Sequence, residues 1–107
     1  MTDPFFLMNY YYYRLNAPRD TFAHDMTPEE QQILGVHAEY WRALVEEGKV
    51  IVVGPVSDPR GAFGVAIVRL PEGEDPAAIG LNDPAITANK GFSFDLFTMP
   101  RVMMPGS

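Results

Sequence analysis

Cysteine is absent from this chain, which excludes a disulfide framework, a thiolate nucleophile and any zinc or iron–sulfur centre held by cysteine. Positive charge is scarce: 8 Lys and Arg stand against 14 Asp and Glu, a formal net charge of −6 at pH 7. No basic stretch offsets this balance, so nucleic acid is not an expected partner. Long apolar runs are missing too. Segments such as Val50-Ile51-Val52-Val53 fall far short of the roughly 20 residues that span a bilayer. Met1-Thr2-Asp3-Pro4 carries an acid where a secretory leader carries basic residues. The expectation is a soluble, cytoplasmic protein without membrane contact. Histidine occurs only as His24 and His37. That spacing does not make a helical i, i+4 ligand pair, and no metal is expected. No serine stands in a nucleophile-elbow context, and the glycine-bounded stretch 54–61 lacks the lysine of a phosphate-binding loop. Covalent serine chemistry and nucleotide hydrolysis are disfavoured.

What is present suits one globular domain. The chain has 107 residues, 47% of them hydrophobic and 12% aromatic, enough apolar surface for a core but too little length for a second domain. Residues 5–15 are dense in aromatic and branched side chains and read as a strand apolar on both faces. Residues 17–26, with Pro18, Asp20, Thr21 and Asp25, read as an unusually long loop. Thr27-Pro28-Glu29-Glu30 is a helix start: Thr27 as N-cap, Pro28 at the first helical position, Glu30 completing a capping box. Ile33, Leu34, His37, Tyr40, Trp41, Leu44 and Val45 recur at helical spacing, and Gly48 is a natural stop.

Residues 50–53 form a short strand closed by Gly54-Pro55, and residues 57–61 a turn. Residues 62–70 set Phe63, Val65 and Ile67 against small residues and pair back as a hairpin. Asp75-Pro76 opens a second helix, weakened at Gly80 and restarted at Asp83-Pro84. Residues 91–99 alternate as the last strand, and 100–107 form a Met/Pro tail. The order is the α+β, ferredoxin-like βαββαβ arrangement, a four-stranded antiparallel sheet with both helices on one face. Strands apolar on both sides then leave a bare apolar face. A symmetric homodimer closing sheet upon sheet would cover it, as would a loop or the C-terminal tail.

His37 lies on the apolar stripe of the first helix, so a titratable group is directed at the sheet. Two readings stay open: a hydrogen-bonded core histidine, or a general acid or base, for which imidazole suits neutral pH. The second needs an orienting acid. Asp83 is the candidate, and it reads equally as an N-cap before Pro84. Trp41 and the tyrosines at 10–13 suit either a core or an aromatic ligand. Arg14 suits a clamp for an anionic substrate or a strand-end charge. The 17–26 loop, with Phe22 as apolar anchor, reads as a lid over the site or as a solvated linker.

The residues His37-Ala38-Glu39-Tyr40-Trp41 with Leu44 and Gly48, then Val53-Gly54-Pro55, Asp58 and Gly61, then Asp83-Pro84 and a closing aromatic strand, stand in the order found in YCII-related (YciI-like) proteins. Residues 5–100 resemble that family; Gly80 and the stretch 20–26 stand outside its general pattern. The resemblance implies a dimeric α+β barrel of ferredoxin-like protomers, a His-Asp active-site dyad at His37 and Asp83, and a Gly-Pro turn at Gly54 and Pro55 walling the same pocket. Most members have no assigned reaction, and one resembles a dehydrochlorinase acting on a chlorinated hydroxyquinol without metal or organic cofactor. The implied function is a cofactor-free lyase, isomerase or dehalogenase acting on a small, aromatic type of molecule. The alternative is a non-catalytic ligand-binding or stress-response accessory module with the same pocket.

Overall fold

A long helix is anchored at its start by local chemistry alone. In the computed structural model, which describes residues 8–106, the Thr27 hydroxyl accepts from the Glu30 amide at 3.1 Å while the Glu30 carboxylate accepts from the Thr27 amide at 2.9 Å. With Pro28 at the first position, this capping box fixes the N-terminus of α2, Pro28–Glu46. The helix stops where Gly48 takes φ 78°, a left-handed conformation that glycine adopts without Cβ strain.

Around it lie β1 Met8–Asn16, a single helical turn α1 Phe22–Asp25, β2 Val50–Val56, β3 Phe63–Pro71, α3 Ala77–Leu81, α4 Pro84–Thr87 and β4 Ser93–Met99. The four strands form one antiparallel sheet in the order β2-β3-β1-β4. The fold is α+β and ferredoxin-like. No helix among the described residues is long and apolar enough to cross a membrane.

Register decides the core. Leu15, Tyr13, Tyr11 and Asn9 oppose Gly64, Ala66, Val68 and Leu70 of β3, and directly opposed residues share a face. Tyr13, Leu15, Ala66, Val68 and Leu70 on that face are buried against Trp41 and Leu44 of α2 and Ile79 of α3. The opposite face carries Tyr12, Arg14, Phe63, Val65, Ile67 and Phe97. There Tyr12 stacks on Phe97 at 5.7 Å, and Phe97 stays 54% exposed.

Three sequence expectations change. Gly54-Pro55 does not close β2 but continues it, paired with Val65 and Gly64. β2 is an edge strand, where the missing proline N–H need not enter the ladder. The alternation expected of β3 holds, with Ala66, Val68 and Leu70 deeply buried and Phe63, Val65 and Ile67 half-buried on the other face. The 17–26 stretch contains α1 rather than being loop throughout. The last strand starts at Ser93, with Phe92 turned into the core at 9% exposure. The expected Phe5, Phe6 and Leu7 portion of the first strand lies outside the described residues.

The second helix breaks as its sequence predicts, into α3 and α4. Gly80 has a packing reason as well. A Cβ there would sit 2.5 Å from ring carbons of Phe94, so only glycine lets α3 settle on β4.

Candidate functional site

The site is assembled from three elements by hydrogen bonds on one carboxylate. Pro84 cannot donate to the preceding turn, so α4 starts there, and Asp83 just before it is extended at φ −61°, ψ 125°. Its side chain caps the helix by accepting from the Ala85 amide at 2.9 Å. The same Oδ1 meets Nδ1 of His37, from α2, at 2.7 Å. Oδ2 accepts from the Trp41 indole N–H at 2.8 Å and from the Tyr13 hydroxyl of β1 at 3.0 Å. Cap and orienting acid, alternatives in the sequence, are therefore both served by one residue.

Asp83 is fully buried. Burial alone pushes its carboxyl up, but the hydrogen bond and charge of His37, with those from Trp41 and the Ala85 amide, outweigh this and hold it below the usual carboxylate range. The geometry agrees, because each carboxylate oxygen accepts from a group that can only donate, Oδ1 from the Ala85 amide and Oδ2 from the Trp41 indole. Burial, followed by the Asp83 charge beside it, pushes the Tyr13 phenol far above its ordinary value. Tyr40 closes the cluster by donating to the Ile79 carbonyl at 2.8 Å.

An ionised Asp83 can only accept, so a neutral His37 carries its proton on Nδ1 and presents Nε2 as the free base. His37 lies on the wall of a cavity of about 540 Å³ between α2 and the β2–β3 end of the sheet, within the range that holds small ligands. Trp41, Phe22, Gly54 and Pro55 line that cavity with it. Asp83 stands behind the histidine rather than in the cavity.

Arg14 is not brought to this cavity. It projects from the other face of β1, with its guanidinium 3.9 Å from the Phe63 ring centroid and Nε bonded to Asn16 Oδ1 at 3.0 Å. There it lines a separate polar recess with Arg19, Asp58 and Arg60. Strand periodicity explains the outcome: with Tyr13 inward, its neighbour must point outward. The arginine that does line the cavity is Arg42; five positions after His37 it lies about 140° further round α2, so helical spacing carries no signal for it. Tyr13 was legible only as one of four consecutive tyrosines.

Phe22 lines the cavity from a segment that is tied down. It is 6% exposed and packs edge-on against Phe92 at 5.3 Å. Arg19 meets both carboxylate oxygens of Glu30 at 2.8 Å and Asp25 Oδ1 at 2.8 Å, lashing the 17–26 segment to the cap of α2. The hydrogen bonds from Arg19, then the Thr27 amide, draw the Glu30 carboxyl down to about 2. The lid expected of residues 17–26, with Phe22 as its apolar anchor, is thus replaced by a pinned wall whose aromatic belongs to the core. His24 is exposed on α1, and among the described residues no cluster of three or more His, Cys, Asp or Glu side chains is placed to hold a metal ion.

Comparison with models of protein families and with curated proteins finds no match to this chain.

Proposed function

We propose that this protein is a cofactor-free enzyme of the lyase, isomerase or dehalogenase type, in which His37 moves a proton of a small apolar substrate. The observation that carries this reading is the 2.7 Å contact between His37 Nδ1 and the buried Asp83 on the wall of a ligand-sized apolar cavity. Nε2 takes a proton from a carbon or hydroxyl of the substrate, and Asp83 stabilises the resulting imidazolium without being protonated itself. In an isomerisation the proton returns at a second carbon. In a dehydrohalogenation the halide departs as the electron pair of the broken C–H bond forms the new double bond. The resemblance to YCII-related proteins supports the same assignment of roles to His37 and Asp83.

We also propose that the working form is a homodimer joined through the sheet face that carries no helix. Val52 and Phe97 on that face are 57% and 54% exposed, and apolar surface of this kind is normally covered in solution.

The test is a turnover screen of hydroxylated and chlorinated aromatic compounds with the wild type and His37→Ala in parallel. Loss of about a hundredfold or more in the variant is expected. Equal turnover by the two proteins removes His37 from the reaction, and binding without turnover by the wild type makes the cavity that of a ligand-holding module.

A further inference from the structure

The cavity has a chemical asymmetry that specifies its ligand more closely. Among the described residues no Asp or Glu lines it, although the chain holds 14 of them. Its lining side chains are apolar apart from Tyr13 and Trp41, whose hydroxyl and indole N–H are committed to Asp83, His37, and Arg42. The lining thus holds a guanidinium and no carboxylate.

The helix explains how Arg42 and His37 address one ligand. At about 100° per residue, Leu34, Val45 and Ala38 fall between His37 and Arg42 around α2, and all three line the cavity. His37 and Arg42 thus stand at opposite margins of the apolar helix face that roofs it, separated by about 7.5 Å along the axis. Ala38 in the middle leaves space between them. Arg42 is exposed, and among the described residues none of the ion pairs or side-chain hydrogen bonds engages it, although Glu39 and Glu46 stand three and four positions away on the same helix. Its planar fork of donors matches a carboxylate in bidentate fashion.

We infer that the cavity takes a small unsaturated or aromatic carboxylic acid, the carboxylate held by Arg42 at the mouth and the apolar body reaching inward to His37. The inference rests on the reading of this cavity as a substrate site and adds the class of substrate. Arg42 is the specificity-determining residue, and His37 acts at the other end of the molecule.

The test is calorimetric titration of the full chain with cinnamate and with cinnamamide, which match in shape and differ in charge, at pH 7.5 and low salt. The wild type is expected to bind cinnamate about tenfold or more tightly than the amide. In Arg42→Gln this preference falls to within about twofold while the amide binds as before, and Arg42→Lys recovers part of it. His37→Gln keeps the preference, which separates recognition from proton transfer. Equal binding of the two probes by the wild type, or a preference that survives Arg42→Gln, overturns the inference and leaves the proton-transfer reading standing. Binding of neither probe at millimolar concentration overturns the proposed ligand class as a whole.

Discussion

The Tyr13 hydroxyl and the Asp83 carboxylate, 70 residues apart in the chain, meet at 3.0 Å in the buried centre of the protein. This bond joins the inner strand β1 to the start of α4, and the Trp41 indole on the same oxygen adds α2. One carboxylate therefore secures three elements and also holds the imidazole of His37.

Replacing Asp83 should reveal both duties. Asp83→Ala strands two buried donors and uncaps α4, and is expected to cost about 3–5 kcal/mol in urea unfolding. Asp83→Asn keeps an oxygen for the cap but turns an amide N–H₂ towards donors, and should cost less. Because the oxygen that caps α4 also faces His37 Nδ1, the Nδ1–H tautomer should persist in Asp83→Asn and be lost in Asp83→Ala, visible in ¹⁵N imidazole shifts. An Asp83→Ala protein within about 1 kcal/mol of wild type would contradict the burial argument.

Stability should fall on both sides of neutrality. Asp83 and Glu30 have folded-state pKa values below their unfolded ones, so their contributions are present above the unfolded values and vanish as pH falls through the folded ones. For Glu30 that window runs from its ordinary 4.5 down to about 2. The Tyr13 phenol is raised above its ordinary 10.0. Its contribution is present below that value and declines as pH rises beyond it. The urea midpoint should accordingly drop below pH 4.5 and above pH 10. Arg19→Gln should flatten part of the acid limb and Tyr13→Phe the alkaline one; unchanged limbs would reject these assignments.

Phe22→Ala is expected to cost about 3 kcal/mol, because the ring is buried against Phe92, and to weaken ligand binding by opening the cavity wall. Thr27→Ala, which removes only the cap hydroxyl, should cost about 1 kcal/mol. Unfolding curves and titration calorimetry on the two variants measure both effects. A Phe22→Ala protein of wild-type stability would restore the lid.

Gly80→Ala drives a methyl group into the Phe94 ring and should destabilise by about 1–3 kcal/mol. Phe94→Leu alone loses packing, yet the double variant should recover at least about 1 kcal/mol relative to the sum of the singles. Simple additivity would mean that the ring moves aside at no cost.

For the proposed dimer, sedimentation velocity at micromolar concentration should give about twice the 11.9 kDa chain mass. Phe97→Glu, at a half-exposed position on the open sheet face, should give a folded monomer with an unchanged circular dichroism spectrum. A monomeric wild type ends the proposal.

Those features whose causes are local in the chain were legible in the sequence. The capping box at Thr27 and Glu30, the stop at Gly48, the break at Pro84 and the order of strands and helices along the chain depend on side chains a few residues apart or on simple periodicity. The inward placement of His37 follows from the same stripe that buries Trp41. Tertiary structure decided what contacts across the sheet and between helices must decide. It made Asp83 a cap and the partner of His37, since the second role needs α4 packed beside α2. It carried β2 through Gly54-Pro55, because only sheet order reveals an edge strand. It sent Arg14 to the outer face and Arg42 to the cavity, because an arginine's destination depends on which face of its element the core selects, and that selection is made by all the elements packing together.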